Sequence, residues 1–326
     1  MKVSRIVKFA LVFIVSIGIM LGADPPPWAY GFEGPPQPGA TPTPIRPANT
    51  DQTPRSIPGA TAQYSRTQIS NRFGPADWFP GEHPQMPDVV ARGKQPTVWA
   101  CGLCHYPNGK GRPENAAVNG LPLEYFIKTM NDFRNDNRKS ADPRKANANL
   151  MIQFAKNMTD DEVKAAADYF GAIKWTPWIK VVEAKTVPKA KPSNGLFLVE
   201  GSEMEPLGNR ILETPVNGEA TEVLRDPHSG FTAYVPVGAV KKGELLVTKG
   251  GGKTIACGSC HGADLKGLGP VPALAGRSPS YLMRQMFDMQ QGLRKGSWTE
   301  LMKPVVANLT ADDMMDIVAY TASRMP

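Results

Sequence analysis

The sequence predicts an all-α protein in which two small, similar helical domains are joined by an irregular, β-leaning segment. A pentapeptide of the pattern Cys-Xaa-Xaa-Cys-His occurs twice and uses all 4 cysteines. Around each copy the surrounding residues also recur, which indicates one structural unit present twice. Near the end of each unit, a helix-capping signal precedes apolar residues at helical spacing. These observations together favour two helical bundles.

The first 23 residues are typical of a signal peptide. A basic start is followed by the apolar run 9–21 and by small residues at 22–23. The alternative is an uncleaved membrane anchor. This run is shorter than the ~20 apolar residues that a spanning helix needs. We therefore expect export, with residues 1–23 removed.

Composition divides the rest of the chain into four parts. Residues 24–81 are rich in proline, which predicts an extended, semi-rigid linker. The interdomain segment combines prolines with short β-leaning runs, so we expect a linker with a hairpin or two. The predicted first domain, interdomain segment and second domain are residues 82–174, 175–239 and 240–326.

The repeat aligns the two units almost throughout. A shift of 156 positions brings the first motif onto the second and pairs Arg138 with Arg294. After that point the offset becomes 151, because the first unit has five extra residues in the loop at 135–149. Each unit should contain a helix before the motif, a helical turn carrying it, a middle helix and a terminal helix. The middle helices are predicted at 122–134 and 279–291, and the terminal ones after the capping residues Thr159 and Thr310.

The repeated pentapeptide is the attachment signature of haem c. Its two thiols form thioethers with the haem, and its histidine is an axial ligand of the iron. Two copies predict two covalently bound haem c groups. A zinc site made from the cysteine pairs is disfavoured, because zinc ribbons place the pairs ~15–20 residues apart. The predicted attachment residues and iron-binding histidines are Cys101, Cys104 and His105 in the first copy, and Cys257, Cys260 and His261 in the second.

A second axial ligand must come from elsewhere in each unit. Met151 and Met302 pair across the repeat, and each lies eight residues before a capping threonine, on a loop expected to close over the haem. A thioether ligand favours ferrous iron. Met130 and Met286 also pair across the repeat, but their mid-helix positions favour core packing. We therefore predict Met151 and Met302 as iron ligands.

Other residues are candidates for supporting roles. A backbone carbonyl that accepts from the free histidine nitrogen would orient the ring. We predict Pro272 for His261. In the first unit the equivalent position is Ala116, and Pro113 nearby is the alternative. The paired Arg138 and Arg294 are candidates to bind haem propionates, the alternative being solvated arginines. The remaining histidines, His83 and His228, have no repeat partner and are interpreted as surface residues.

These motifs resemble those of class I c-type cytochromes, and their duplication is similar to the di-haem cytochrome c4 type. The resemblance rests on 257–262, 272–277, Tyr281-Leu282 and Met302 ahead of Ala319-Tyr320. In the first unit Tyr106 replaces the glycine after the motif. The resemblance implies small all-helical domains around haem c, a periplasmic location and one-electron shuttling.

The leading functional expectation is a periplasmic di-haem electron carrier of a respiratory chain. Two His/Met irons leave no open position, so we expect no catalytic residues, although an enzymatic role stays open. Redox-partner proteins would be a dehydrogenase or quinol-oxidising donor and a terminal oxidase or reductase, docking at a haem edge ringed by lysines such as Lys110 and Lys266. The alternatives are a di-haem oxidoreductase, such as a peroxidase or thiosulfate dehydrogenase, a cytochrome subunit of a dehydrogenase complex, and a membrane-associated adaptor with an uncleaved N-terminus.

The charge of the chain argues against nucleic-acid binding. The formal net charge of +7 includes three basic residues of the predicted signal peptide. Four haem propionates reduce the net charge further, so the mature protein should be near neutral. It lacks the excess of positive charge that is typical of nucleic-acid-binding proteins.

Overall fold

The computed structural model describes residues 24–326, and the predicted signal peptide lies outside them. Two helical units flank a segment that contains β-strands, and a mostly extended amino-terminal segment lies against all of these parts. Within residues 24–326, no helix combines the length and apolar character needed to cross a membrane.

The proline-rich amino-terminal segment packs on the protein instead of leading away from it. It contains the short helices α1 (Pro27–Tyr30) and α2 (Arg66–Ile69). The Tyr30 side chain is fully buried, and its hydroxyl donates a hydrogen bond to Asp288 at 2.7 Å. At its other end, Trp78 Nε1 donates to the Leu224 carbonyl at 2.8 Å. The segment therefore spans from the second unit to the middle segment.

The first unit has the helices that the repeat predicts, and one more. The helix before the motif, the motif turn, the middle helix and the terminal helix are all present, and a further helix precedes the terminal one. They are α3 (Asp88–Ala91), α4 (Cys101–His105), α5 (Leu123–Arg134), α6 (Ala146–Asn157) and α7 (Asp160–Ala172).

The middle segment contains the expected hairpin and also a three-stranded sheet, so the described chain, at 36% helix and 14% strand, is not clearly all-α as predicted. A parallel pair and an antiparallel pair form one sheet in the order β1-β5-β4, and β2 and β3 form a separate hairpin. Strand β5 alternates buried and half-buried residues, as a sheet with one covered face requires. The elements are β1 (Ile179–Glu183), β2 (Thr186–Ser193), β3 (Leu196–Pro206), β4 (Leu212–Pro215), α8 (Gly218–Glu222) and β5 (Phe231–Val235).

The second unit repeats the arrangement of the first. Its last helix and that of the first unit both begin with a capping box, at Thr310 and Thr159, as the sequence predicts. Each box satisfies two backbone N–H groups that have no partner inside the helix. The helices are α9 (Ala239–Lys249), α10 (Gly258–His261), α11 (Pro279–Gln290), α12 (Thr299–Val306) and α13 (Ala311–Ser323).

The methionine-bearing segments are helices, so the prediction of loops at these positions is wrong. Met151 lies within α6 and Met302 within α12. Both helices put apolar residues on the side facing their unit's core, where Met151 and Met302 pack. Burial of that side makes a regular helix more favourable than an open loop.

Helices α9 and α13 approach each other unusually closely at one point. Gly243 of α9 lies directly against the backbone of Asp316 in α13. Further along α9, the Val247 carbonyl accepts a hydrogen bond from the Cys257 amide at 2.9 Å. The position of the second motif therefore depends on how α9 seats against α13.

Two candidate haem sites

Each motif opens into its own apolar cavity. In α4, Cys101 and Cys104 are one helical turn apart, so their thiols lie on one face, beside His105. All three residues line a cavity whose wall also contains Met151. Its other apolar lining residues include Val98, Val118, Phe126, Met130, Phe133, Phe154, Met158 and Phe170.

The second cavity is built in the same way. It is lined by Cys257, Cys260 and His261 from the motif and by Met302 from α12. The structure therefore brings together the predicted residues of each site. Each cavity also contains other methionines, Met130 and Met158 in the first and Met286 and Met289 in the second, so the choice of iron ligand stays a prediction.

Both motif histidines are held by a backbone carbonyl. His105 Nδ1 donates to the Ala116 carbonyl and His261 Nδ1 to the Pro272 carbonyl, each at 2.7 Å. These contacts confirm Pro272 and identify Ala116, instead of Pro113, as the acceptor in the first unit. Burial lowers the pKa of both imidazoles, which keeps them neutral. With the proton on Nδ1, Nε2 is the nitrogen left free to bind a metal.

The cysteines are available for attachment. All four are free in the structure. Burial raises the pKa of the Cys101 thiol to about 12 and that of Cys257 to about 11. Two thiols and a neutral imidazole at the mouth of an aromatic and aliphatic cavity match what a covalently bound haem requires.

A polar cluster joins the two sites. Arg138 Nη2 donates to the Tyr281 hydroxyl at 3.1 Å and to Gln285 Oε1 at 2.8 Å. Arg294 donates to the same Gln285 oxygen at 3.0 Å and to the Tyr125 hydroxyl at 2.9 Å. Arg138 lines the first cavity and Arg294 the second, and both are buried instead of solvated.

The two cavities share part of their walls. The shared residues come from α5 and α11 and from the loop before α5, and four of them form two pairs related by the repeat, Tyr125 with Tyr281 and Thr129 with Gln285. The shared residues are Leu121, Tyr125, Thr129, Tyr281 and Gln285. Single side chains therefore separate the two sites.

The first motif is covered by other parts of the chain. The Arg225 guanidinium donates a hydrogen bond to the Leu103 carbonyl. Tyr106 packs in a buried cluster with Trp178 and Phe231 of the middle segment. Lys110, expected in a docking ring, lies 4.9 Å above the Trp178 ring and is largely covered. No local pattern predicts the role of Arg225, because its partner lies 122 positions away.

The second motif is open to solvent. Cys260 is exposed, and so are three apolar side chains near it: Ile255 at 49%, Leu268 at 60% and Leu301 at 73%. Ile255 and Leu301 also line the second cavity. The two sites therefore have similar interiors and different surroundings.

This fold and these sites define a c-type cytochrome. A family model described as cytochrome c matches residues 90–174. The chain is 41% identical to cytochrome c-554(548) of Halomonas halodenitrificans over 69 residues, which are 21% of this chain and 83% of the relative. The chain belongs to the cytochrome c family. It is a di-haem, cytochrome c4-like protein with covalently bound haem c.

Two further relatives match this chain over very different lengths. Cytochrome c4 of Pseudomonas aeruginosa is 43% identical over 77 residues, 23% of this chain and 36% of the relative. The chain thus matches just over a third of that protein's length. A thiosulfate dehydrogenase electron acceptor of Thiomonas intermedia is 23% identical over 235 residues, 70% of this chain and 80% of the relative.

Proposed function

We propose that this protein is a periplasmic electron carrier with one haem c in each helical unit. The observation that carries the proposal is the pair of equivalent cavities, each lined by two cysteines, a histidine and a methionine and sharing walls with the other. When bound, the haem iron supplies a one-electron ferric/ferrous couple. Domain limits of 82–174 and 240–326 are part of the proposal.

The proposed roles of the residues follow from their positions. Cys101, Cys104, Cys257 and Cys260 hold the two haems through thioethers. The carbonyls of Ala116 and Pro272 fix the orientation of His105 and His261, which leaves Nε2 of each ring for the iron. Met151 and Met302 complete the coordination, so that neither iron has an open position for substrate.

The exposed second site is proposed as the place where electrons enter or leave. The first motif is covered by Arg225 and by the cluster around Tyr106, whereas apolar side chains are exposed around the second. An apolar contact surface suits a transient redox partner, which must dock closely and then leave. Because the relatives include electron acceptors of thiosulfate dehydrogenase, such an enzyme is our candidate donor.

The composition and spectrum of the purified protein test the carrier function. We expect mass spectrometry to show two covalently added haems and a mature chain that begins near Asp24. Both haems should be low-spin in the oxidised and reduced states, with a ferric thioether-to-iron absorption band from each. High-spin haem in the resting protein would instead support the di-haem oxidoreductase, because it shows an iron position that is open to substrate.

A charge placed on the exposed apolar surface should slow electron exchange. We expect Leu301→Glu to reduce the rate of reduction by thiosulfate dehydrogenase about tenfold, equivalent to ~1.4 kcal/mol, because a carboxylate must be desolvated on docking. Reduction by ascorbate should change little. Val216→Glu is the matched control, since Val216 is 71% exposed but does not line either cavity. Equal rates for both variants would place the docking surface elsewhere.

A further inference from the structure

The first cavity has a polar end formed by the loop at 135–149. Lys145 lines the cavity with only 7% of its surface exposed. Its ammonium has one long hydrogen bond, 3.5 Å to the Tyr30 carbonyl. Ser140 lines the same end, and its hydroxyl is buried without a hydrogen-bond partner. Both polar groups therefore lack the partners that buried groups normally have.

The acids near Lys145 are paired with other cations. Glu114 lies 2.5 Å from Arg112, and Asp142 lies 2.7 Å from Arg144. Within residues 24–326 no carboxylate is within 4.0 Å of the Lys145 ammonium. Burial, followed by repulsion from other cations, lowers the pKa of Lys145 well below its usual value. A buried cation without a counter-ion is costly, so an anion is needed here.

A second cation faces the same space. Arg284 of the second unit lines the first cavity and is buried, and its guanidinium donates to the carbonyls of Ala29 and Pro113 at 2.5 and 2.6 Å. Within residues 24–326 no carboxylate lies within 4.0 Å of its guanidinium, although Asp288 and Glu213 attract it at longer range. Lys145 and Arg284 thus have no ion-pair partner at the polar end of a cavity that begins at Cys101 and Cys104. The other acids of its wall are Glu114, which pairs with Arg112, and Asp288, which accepts from Tyr30. A haem in this cavity brings two carboxylates as propionates.

We propose that Lys145 and Ser140 bind a propionate of the haem attached at the first motif, the ammonium as counter-ion and the hydroxyl as hydrogen-bond donor. This inference rests on the proposed attachment at Cys101 and Cys104. Both residues belong to the loop in which the first unit has five extra residues. The corresponding loop of the second unit, residues 291–300, places Trp298, Thr299 and Arg294, the repeat partner of Arg138, at its cavity and no lysine.

The pairing gives Lys145 an electrostatic effect on the first haem. A cation near an iron favours the ferrous state, because ferrous iron carries one positive charge less. Burial keeps this effect from being screened by salt. Lys145 therefore raises the reduction potential of the first haem.

Potentiometric titration of charge variants tests the assignment. We expect Lys145→Met to shift one haem's one-electron equilibrium at least tenfold toward the ferric form, ~59 mV, and to leave the other haem unchanged. Lys145→Arg keeps the charge and should retain most of the potential. Lys156→Met is the control, because Lys156 is exposed and pairs with Asp136 at 2.6 Å. It should leave both potentials unchanged.

Several outcomes would decide against the proposal. Unchanged potentials in a Lys145→Met protein that retains two haems would overturn it. If that variant loses the haem, a crystal structure of the wild-type holoprotein decides the question. A propionate oxygen within 4.0 Å of the Lys145 ammonium supports the assignment, and an ion pair of Lys145 with Glu114 or Asp142 refutes it. A wild-type protein with no haem at the first motif would instead refute the proposed function.

Discussion

Replacing Met302 with leucine is expected to remove the ferric thioether-to-iron band of the second haem and to lower its reduction potential. The thioether stabilises ferrous iron, and leucine cannot bind the metal. The fall should be on the order of 0.2 V, a fraction of the ~0.8 V range that axial ligands span. Spectroelectrochemical titration of the variant measures both effects, and the first haem should keep its band.

Met286→Leu is the matched control for this prediction. Met286 lines the same cavity from α11, so its replacement perturbs the same packing with a side chain of similar volume. We expect a cost below ~1.5 kcal/mol and an unchanged spectrum. If the band disappears in the Met286 variant and persists in the Met302 variant, the ligand assignment is wrong. Met151 and Met130 allow the same comparison in the first unit.

Replacing Gly243 with alanine is expected to produce the largest loss of stability among conservative substitutions in the second unit. A Cβ at this position would lie 2.6 Å from the carbonyl carbon of Asp316 and 2.9 Å from the Tyr320 Cβ. Since both neighbours belong to α13, relief of the overlap requires α9 to move away. We expect the free energy of unfolding to fall by about 3 kcal/mol, measured by urea denaturation of the holoprotein.

The same substitution should disturb the second site and spare the first. Movement of α9 displaces Val247, whose carbonyl holds the Cys257 amide. Gly218→Ala is the control, because nothing lies within 4 Å of a Cβ built at Gly218 and the residue starts a helix. Its unfolding free energy should stay within about 0.5 kcal/mol of the wild type. A similar loss in both variants would show that the close approach of α9 and α13 is not the cause.

Much of the helical architecture could be predicted because it is encoded locally. The capping boxes at Thr159 and Thr310 depend on residues three positions apart, and the repeat transfers each assignment from one unit to the other. The acceptor carbonyls of Ala116 and Pro272 lie 11 positions after their histidines. A local pattern of this kind can be recognised in a single sequence.

The β-sheet and the covers of the first site could not be predicted in the same way. Short runs such as β5 can be recognised as β-leaning, but their sequence does not show which runs pair with one another. Strand β1 pairs with β5 about fifty positions away, and Arg225 reaches Leu103 over 122 positions. The packing of Tyr30 on Asp288 spans 258 positions. Such contacts depend on the whole fold, and no local sequence pattern predicts them.

From the cover over the first motif we expect an order of maturation. Arg225, which donates to the Leu103 carbonyl, and Phe231, which packs with Tyr106, come more than a hundred positions later in the chain. In a polypeptide that is synthesised from its amino terminus, the first motif stays accessible until those residues have emerged and β1 has paired with β5. We expect the haem to be attached at the first motif during this interval. Attachment at the second motif is not limited in this way, because that motif remains exposed to solvent in the folded protein.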